Sequence, residues 1–408
     1  MRIERQTITT LQQFYALMAQ TRQVRLNAVS GYLQDKVVEN ETIESLENAV
    51  EALREIPSGT KGAEVNLDHN RKIVIDLSYE ITELDKDVFF LSRGEQAFEK
   101  HLRDLHPTLD EQVALGISML EPLKVRNLVT DRDGTVNNYC GRYLSSIQSV
   151  YNSVYIARFA EMCCENTIIL TSAPLENGGL VDITTIPTGI VINAGSKGRE
   201  YRDLEFTRHT LAIDQAQQDK LDEFNARLQR ILEEPEYEKF GLIGSAFQQK
   251  FGQTTMARQD VTKSVPEDES AEFLKLLESL VAELDPNGQF FRIEDTGLDV
   301  EIILTVPSDS STEGLTDFSK GNGVGFLNES LGLDLAAGTN LVCGDTGSDV
   351  PMLEECLRHS ADTWSVFVTT KNELKDRVTA LTDKSMFVDE PDTLVAIFNA
   401  LAMNSSQR

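Results

Sequence analysis

The stretch VRNLVTDRDGT, residues 125–135, decides the fold, because its short apolar run ends in two aspartates and a glycine. A helical pattern follows from about Leu144 to Cys164, and two further apolar runs, NTIILTSAP and GIVINAG, come after it. Strand, helix and strand in this order predict a βαβ unit, in which the two strands are parallel. The sequence therefore predicts an α/β core that begins near residue 123.

The pattern changes after residue 203 and changes back after residue 316. The segment between contains a long charged helical stretch, Gln215 to Leu232, and two strings typical of antiparallel strands, KFGLIGSAF and LDVEIILTV. Apolar runs typical of buried parallel strands return in NLVCGDTGSD, WSVFVTT and SMFVDE. We therefore predict an inserted α+β domain over 204–316, and a doubly wound, Rossmann-like parallel-sheet core over 123–203 and 317–408.

Residues 1–122 show helical periodicity instead of strand runs. Apolar side chains recur at helical spacing at Leu11, Phe14, Leu17 and Met18. Breaks are expected in PSGTKG, residues 57–62, and near His106 and Pro107. We predict an N-terminal helical bundle or coiled-coil-like domain that serves packing or homo-oligomerisation. A regulatory or partner-binding role is the alternative.

The charge of the chain limits its partners. Lys and Arg total 38 against 66 for Asp and Glu, which gives a formal net charge of −28 at pH 7. Such a charge repels nucleic-acid backbones and anionic lipid over any broad face. We therefore expect no nucleic-acid partner and no membrane partner. An anionic substrate would need a site with its own local positive charge.

Cysteine usage and the N-terminus predict a cytoplasmic protein. The five cysteines follow neither zinc-ligand nor paired secretory spacing, so we expect reduced thiols at Cys140, Cys163, Cys164, Cys343 and Cys356. The N-terminal string MRIERQTITTLQQF has no continuous apolar run of the signal-peptide type. No stretch approaches the ~20 apolar residues that cross a bilayer.

The first candidate site is the pair Asp131 and Asp133. Ligands of a parallel sheet bind beyond the carboxyl ends of its strands, so both carboxylates are expected at that edge, on the same side. One of two such carboxylates can attack as a nucleophile or hold a hard cation while the other moves a proton. Gly134 permits a sharp exit from the strand. By itself the string also fits a structural cation loop or a helix cap.

A second acidic string, GDTGSD at 344–349, follows the apolar run NLVC. Mg²⁺ prefers oxygen ligands in octahedral geometry, and two neighbouring strand ends can supply them. Asp345 is the natural ligand, with Asp349 as a ligand or an orienting residue. The alternative is an acidic turn in which Asp349 is the N-cap of a helix over PMLEECL.

Thr171 and Lys320 complete a candidate phosphate site. Thr171 ends the run NTIIL, where its hydroxyl and the following N–H groups can hold phosphate oxygens. Lys320, interpreted as a loop residue in SKGNGVGFL, can neutralise developing negative charge. The glycines at 321–325 are not a dinucleotide fingerprint, since no strand precedes them and the spacing differs from G-x-G-x-x-G.

The ordered set DRDGT, LTSAP, SKGNG and GDTGSD resembles the four motifs of haloacid dehalogenase-superfamily phosphatases, over about Lys124 to Met403. The resemblance implies a cap inserted between the second and third motifs. It implies that Asp131 forms an aspartyl-phosphate and that Asp133 is the general acid and base. Thr171 and Lys320 would hold the phosphoryl group. Mg²⁺ would be bound by Asp131, the backbone carbonyl of Asp133, and Asp345, supported by Asp349.

Longer strings resemble the nematode-type branch of trehalose-6-phosphate phosphatases: DRDGTVNNYCGRY, YNSVYIARFA, GSKGREY, GSAFQQK, and KGNGVGFL with CGDTGSDVPM. Members of that branch also carry an N-terminal helical region. The resemblance implies hydrolysis of trehalose 6-phosphate to trehalose and phosphate. It implies sugar recognition by Lys250 and Glu301 in the cap and, at the rim of the core, by Ser196, Lys197, Gly198 and Arg199. Gln249 stands where that branch leads us to expect a basic residue.

Several alternatives stay open at the level of sequence. Sucrose phosphate, glucosylglycerol phosphate or another sugar phosphate could be the substrate, because only the cap would distinguish them. A phosphomutase also uses an aspartyl-phosphate. A non-catalytic sugar-phosphate sensor is disfavoured by the intact pair Asp131 and Asp133. We interpret Tyr139, Tyr143 and Arg158, which follow the first motif, as packing residues.

Overall fold

The computed structural model describes residues 2–59, 62–67, 71–307, 315–316 and 318–406. The described residues of the N-terminal domain form five helices: α1 (Leu11–Leu33), α2 (Asn40–Arg54), α3 (Ser78–Arg93), α4 (Glu95–Leu105) and α5 (Leu109–Leu120). Thr10 caps α1 by accepting a hydrogen bond from the N–H of Gln13. The apolar stripe of α1 is buried as predicted, at Leu11, Phe14, Leu17 and Met18.

A small antiparallel sheet interrupts these helices, which the sequence interpretation did not foresee. Its strands are β1 (Ser58–Gly59), β2 (Gly62–Asn66) and β3 (Lys72–Ile75), in the order β1-β2-β3. The missed signal is the string KIVI at 72–75, in which Ile73 and Ile75 are buried. Thr60 and Lys61 of the predicted break PSGTKG lie outside the described residues. The second predicted break falls where expected, between α4 and α5.

The first half of the core follows the N-terminal domain. Its strands are β4 (Val125–Thr130), β5 (Cys164–Leu170), β6 (Ile192–Gly195), β7 (Glu200–Arg202) and β8 (Arg208–Thr210), and its helices are α6 (Val150–Cys163) and α7 (Leu180–Ile183). Strand β8 pairs with β7 in the core sheet. The predicted domain boundary at residue 203 thus falls between two strands of one sheet, and the structure begins the insertion after Thr210.

Over its described residues, the inserted domain contains two helices, a four-stranded antiparallel sheet and a separate pair of short antiparallel strands. Its elements are α8 (Gln215–Leu232), β9 (Phe247–Lys250), β10 (Gln253–Ala257), α9 (Glu267–Leu284), β11 (Phe291–Asp295), β12 (Asp299–Leu304), β13 (Val306–Pro307) and β14 (Leu315–Thr316). The strand order is β11-β12-β10-β9. Helix α8 and strand β12 confirm the sequence interpretation, but most of KFGLIGSAF forms a 3₁₀ turn and a bend before β9. The predicted boundary between 316 and 317 adjoins Asp317, which is outside the described residues.

The second half of the core returns to α/β alternation. Its elements are α10 (Lys320–Leu331), β15 (Thr339–Gly344), α11 (Val350–His359), β16 (Thr363–Val368), α12 (Asn372–Thr379), β17 (Ser385–Val388) and α13 (Pro391–Ser406). The core sheet has the order β17-β16-β15-β4-β5-β6-β7-β8. All pairs from β17 to β6 are parallel, and β7 and β8 are antiparallel.

The strand order creates a switch point at β4. Strand β4 lies between β5, from the first half of the core, and β15, from the second half that follows the insertion. One face of the sheet packs against α6 and α13, and the other packs against α10, α11 and α12. Ligands of such sheets bind in the crevice beyond the carboxyl ends of the strands at the switch point. The predicted acidic strings end β4 and β15, the two strands at that point.

The N-terminal domain touches both other domains. Helices α1 and α3 pack on α6, and α5 packs on α13. Tyr15 of α1 donates a hydrogen bond to the carbonyl oxygen of Leu242 in the inserted domain, at 2.6 Å. Within the described part of the chain, no helix is both long enough and apolar enough to span a membrane. All five cysteines are unpaired.

Candidate active site

Asp131 and Lys320 meet at the switch point. Asp131 follows β4 directly, and Lys320 is the first residue of α10, a helix where the sequence suggested a loop. Lys320 Nζ lies 2.5 Å from Asp131 Oδ1 and 2.6 Å from Asp349 Oδ1. All three side chains are buried. One lysine therefore forms ion pairs with two carboxylates that the sequence separates by 218 positions.

Asp345 joins them to complete an acidic cluster. One carboxylate oxygen from each of Asp131, Asp345 and Asp349 lies within 4.8 Å of the others. Thr135 bridges two of them, donating to Asp131 Oδ2 or Asp345 Oδ1, each at 3.2 Å. The sequence interpretation had passed over Thr135, although it lies within the DRDGT string. Oxygen donors this close suit a hard divalent cation.

Asp349 is positioned by the turn that precedes α11. Its Oδ2 accepts hydrogen bonds from the N–H groups of Asp345 and Thr346, at 3.1 and 2.9 Å. It occupies the N-cap position of α11 but makes no side-chain bond to that helix. The side chain therefore organises the GDTGSD turn and leaves Oδ1 for Lys320.

The pKa values in the cluster record the crowding of negative charge. Burial, with Asp349 nearby, raises the pKa of Asp131 to about 7 despite Lys320. Burial and the charges of Asp131 and Asp349 raise the pKa of Asp345 to about 8. Burial opposes ionisation of Asp349 too, but Lys320 and backbone N–H bonds outweigh it and lower its pKa. A divalent cation among these oxygens would relieve the repulsion, so the donor set fits such an ion.

Gly134 allows the two acidic strings to approach each other. Its φ is +88°, and a Cβ atom there would lie 2.3 Å from Asp345 Oδ2. The position thus excludes a side chain for two reasons, the left-handed backbone and the close carboxylate. Gly134 therefore permits the sharp exit from the strand, as predicted, and also allows close packing against Asp345.

Asp133 is not one of the three clustered carboxylates. Its Oδ1 accepts hydrogen bonds from Arg132 Nη1 and from Ser146 Oγ, the latter at 2.9 Å. Its side chain is 20% exposed, whereas that of Asp131 is 7% exposed. The two carboxylates thus differ in their surroundings, and Asp133 is the more exposed of the two. Arg132 itself is fully buried.

Thr171 and the rim residues lie on the neighbouring strands. Thr171 follows β5 and is buried, and its Oγ1 accepts a hydrogen bond from the N–H of Ala173 at 3.2 Å. Its carbonyl oxygen accepts from the N–H of Lys197, at 2.9 Å. Gly198, with φ +89°, packs against α10, since a Cβ there would lie 2.7 Å from Gly323 Cα. Gly198 therefore serves close backbone packing beside Lys320.

Ser196 and Arg199 hold the turn between β9 and β10. Ser196 Oγ donates to Glu200 at 2.7 Å and accepts from the N–H of Phe251 at 2.9 Å. Arg199 donates to the carbonyl oxygen of Gly252 at 2.8 Å, and its guanidinium lies over the ring of Phe318, 4.6 Å from the centroid. Both side chains are buried and join the core to the inserted domain.

The inserted domain presents Lys250 and Glu301 on one sheet face. In the register, Gln253 pairs with Lys250 and Thr255 pairs with Glu301, so these side chains share a face. Lys250 Nζ lies 4.0 Å from Glu301 Oε1. Burial and the charge of Lys197 lower the pKa of Lys250, while Glu301 opposes the shift. The two cap candidates thus lie together and near the core rim, whereas Gln249 is exposed and points to the other face.

The three residues interpreted as packing residues have different positions. Tyr143 is packed against the apolar cluster that the N-terminal and inserted domains share. Arg158 pairs with Glu95 at 2.7 Å, a structural contact. Tyr139 is 68% exposed, and partial desolvation together with the charges of Asp299, Asp133 and Asp345 raises its pKa. The packing interpretation is therefore wrong for Tyr139.

A parallel sheet with this acidic switch point, and an inserted cap between its second and third motifs, defines the haloacid dehalogenase fold class. The particular family follows from comparison with known families. The model described as "Trehalose-6-phosphate phosphatase, C-terminal" matches residues 128–394, and "Trehalose-6-phosphate phosphatase N-terminal helical bundle domain" matches residues 10–109. The chain belongs to the trehalose-6-phosphate phosphatase family.

Curated relatives come from nematodes. The alpha,alpha-trehalose-phosphate synthase [UDP-forming] 2 of Caenorhabditis elegans is 32% identical over 393 residues, which cover 92% of this chain and 32% of that protein. The trehalose-phosphatase of Caenorhabditis elegans is 31% identical, over 74% of this chain and 68% of that protein. The chain thus spans about a third of the length of the synthase relatives.

Among solved structures, the trehalose-6-phosphate phosphatase of Aspergillus fumigatus is 18% identical, with a TM-score of 0.40. The match covers 71% of this chain and 97% of that one.

Proposed function

We propose that this protein is a Mg²⁺-dependent phosphatase that hydrolyses trehalose 6-phosphate to trehalose and phosphate through an aspartyl-phosphate. The observation that carries the proposal is the contact of Asp131 with Lys320 beside Asp345 and Asp349. Membership of the trehalose-6-phosphate phosphatase family supports trehalose 6-phosphate as the substrate. The trehalose-phosphatase of Caenorhabditis elegans is similar to this chain over 74% of this chain and 68% of that protein.

The proposed roles follow from the surroundings of each group. Asp131 would attack phosphorus, with Lys320 and Thr171 holding the phosphoryl oxygens. Asp133 would give a proton to the leaving sugar oxygen and then take one from the attacking water. Bound Mg²⁺ would supply charge stabilisation for the phosphoryl oxygens. Its ligands would be Asp131, the carbonyl of Asp133, and Asp345, with Asp349 in support.

The cap would select the sugar. Lys250 and Glu301 share a face near Lys197, which supports a role for these three in binding sugar hydroxyls. Ser196, Gly198 and Arg199 support that surface indirectly, because their polar atoms and backbone hold the turn between β9 and β10 and the start of α10. Homo-oligomerisation through the N-terminal helices and a cytoplasmic location stay predictions.

The test is phosphate release from a panel of sugar phosphates, with Mg²⁺ or with a chelator, by the wild type and by Asp131→Asn. We expect a preference for trehalose 6-phosphate, and we expect both the chelator and the substitution to abolish release. If the enzyme prefers sucrose phosphate or glucosylglycerol phosphate, trehalose 6-phosphate is wrong as the substrate, but the phosphatase mechanism still holds. Interconversion of sugar phosphates without release would indicate a phosphomutase, and binding without any reaction would indicate a sensor.

A further inference from the structure

Helix α3 of the N-terminal domain lies along the loop that follows the DRDGT string. This loop, residues 137–149, connects the acidic cluster to α6 and is called here the 137–149 loop. Glu80 of α3 accepts a hydrogen bond from Ser145 Oγ at 2.5 Å. Asp87 of α3 accepts one from the N–H of Val150, the first residue of α6, at 2.6 Å. The helix therefore holds the loop along most of its length.

Tyr79 of α3 makes two contacts with the 137–149 loop through its hydroxyl. Its hydroxyl donates to the carbonyl oxygen of Ile147 at 3.1 Å and accepts from Asn137 Nδ2 at 3.1 Å. These two partners lie on either side of Ser146, and Asn137 Nδ2 also lies 3.3 Å from Ser146 Oγ. A single phenolic hydroxyl thus holds the carbonyl of the residue after Ser146 and an amide that itself reaches the Ser146 hydroxyl.

Ser146 in turn contacts Asp133. Its hydroxyl donates to Asp133 Oδ1 at 2.9 Å and accepts from Arg132 Nη1 at 3.1 Å. Arg132 Nη1 also donates to the same carboxylate oxygen. Among the described residues, Asp133 Oδ2 has no hydrogen-bond partner. Because Oδ1 accepts two hydrogen bonds, a proton on this carboxyl group belongs on Oδ2, the oxygen left for a substrate.

We propose that Ser146 is a positioning residue for Asp133, and that α3 of the N-terminal domain, through Tyr79, fixes Ser146 in place. The inference rests on the proposed function, since it concerns proton transfer to the leaving sugar oxygen. In the first step the bond between phosphorus and the sugar oxygen breaks as phosphorus bonds to Asp131. The sugar oxygen leaves with the electron pair and takes the proton from Asp133 Oδ2.

This chemistry gives a readout that a general structural defect would not imitate. A sugar alkoxide is a poor leaving group and needs the proton, whereas p-nitrophenolate is stable near neutral pH and leaves without one. The ratio kcat/KM reports the steps up to and including transfer to Asp131. Loss of Asp133 positioning should therefore lower kcat/KM for trehalose 6-phosphate and spare kcat/KM for p-nitrophenyl phosphate.

The experiment compares both substrates across matched variants of the full chain. General acid catalysis contributes about 10²- to 10⁴-fold, so we expect Ser146→Ala to lower kcat/KM for trehalose 6-phosphate about ten-fold or more, and for p-nitrophenyl phosphate less than about two-fold. Tyr79→Phe should act in the same direction with a smaller loss, about three-fold. Asp133→Asn supplies the reference pattern for a missing general acid.

Two substitutions nearby serve as controls. Ser149 Oγ and the Tyr155 hydroxyl are buried and have no hydrogen-bond partner in the described part of the chain. Ser149→Ala and Tyr155→Phe therefore remove matched hydroxyl groups without touching the contact to Asp133. Both controls should keep the wild-type kcat/KM for the two substrates. Melting temperatures of all variants check that each one folds.

The outcomes separate this inference from the proposed function. Equal losses on both substrates, or no loss for Ser146→Ala on trehalose 6-phosphate, would overturn the positioning role while the wild type remains a phosphatase. If Ser146→Ala lowers kcat/KM for trehalose 6-phosphate but Tyr79→Phe has no effect, the role assigned to α3 is overturned. A wild type that acts on p-nitrophenyl phosphate alone would overturn the proposed function and this inference with it.

Discussion

Gly134 contributes to the site through the absence of a side chain. Because a Cβ atom there would lie 2.3 Å from Asp345 Oδ2, Gly134→Ala must displace the Asp345 carboxylate. A misplacement of about 1 Å at such a site can lower the rate about 100-fold, and we expect a loss of that size. We also expect a higher Mg²⁺ concentration for half-maximal activity. Steady-state phosphate release over a Mg²⁺ titration measures both quantities.

The control for this prediction is Gly297→Ala. Gly297 has a φ of +87°, almost the same as Gly134, but no atom lies within 4 Å of the position that its Cβ would take. The substitution carries the same backbone strain, about 1 kcal/mol, without the contact to a carboxylate. Activity of Gly297→Ala should match the wild type. Equal loss in both variants would show that backbone strain, and not Asp345, is responsible.

Glu80 gives a prediction for the pH dependence of stability. Burial raises its pKa from 4.5 to about 7, although Ser145 and Arg142 oppose the shift. Because the folded state binds this proton more tightly, the stabilisation is complete below pH 4.5 and is lost as the pH rises through about 7. The two pKa values differ by an amount that corresponds to about 3 kcal/mol.

Glu80→Gln should remove that dependence. We expect the free energy of unfolding of the variant, relative to the wild type, to increase between pH 4.5 and 8 by up to about 3 kcal/mol. Urea unfolding at several pH values gives the difference. A constant offset between the two curves would report altered packing only, so parallel curves would contradict the shifted pKa.

At the scale of elements, the first N–H group of α6 donates a hydrogen bond to a side chain of the N-terminal domain. Asp87 of α3 accepts from the N–H of Val150 and from Arg25 Nε, at 2.6 and 2.5 Å, and is fully buried. Asp87→Ala would leave the buried Arg25 without its carboxylate partner. Breaking a buried pair in this way destabilises by about 3 to 5 kcal/mol. Urea unfolding of the variant should show a loss in that range.

An exposed pair in the same domain provides the comparison. Arg103 and Asp110 lie 2.7 Å apart, with side chains that are 46% and 71% exposed. Asp110→Ala should change the free energy of unfolding by less than about 1 kcal/mol, because water screens and solvates both charges. If both substitutions had the same small effect, the junction of α3 with α6 would not be a stabilising contact.

At the scale of the whole molecule, the three domains meet at Arg142. Arg142, in the 137–149 loop, donates to Asp260 of the inserted domain at 3.1 Å and to the carbonyl oxygen of Val74 at 3.4 Å. Thr262 also donates to that carbonyl, at 3.3 Å. The core and the N-terminal domain therefore both contact the inserted domain at Asp260 and Thr262.

Substrate selection by the cap can be tested at neighbouring positions on β9. Lys250→Ala should raise KM for trehalose 6-phosphate about ten-fold, the size expected for a lost hydrogen bond to a charged group. Its effect on p-nitrophenyl phosphate, which has no sugar, should be small. Gln249→Ala, on the opposite face of the same strand, should change neither. An equal rise in KM for both substrates would contradict a sugar-binding role for Lys250.

The sequence alone determined the class of fold and the position of two acidic strings at the ends of strands. Apolar runs that end in DRDGT and GDTGSD specify buried parallel strands with carboxylates at one edge, because the period of the strand and the direction of the sheet are local properties. The insertion between the motifs and the helical N-terminal region were predicted by similar patterns. The missed hairpin at 58–75 and the course of β8 involve strands of two to five residues, too short for a distinct period.

Only the tertiary structure decided which groups act together. Lys320 reaches Asp131 and Asp349 because α10 starts beside the switch point, and no local pattern gives that direction. The link from Tyr79 through Ser146 to Asp133 joins two domains, so no sequence spacing could reveal it. Contacts of this kind depend on how separately specified elements pack, and packing is a property of the complete chain.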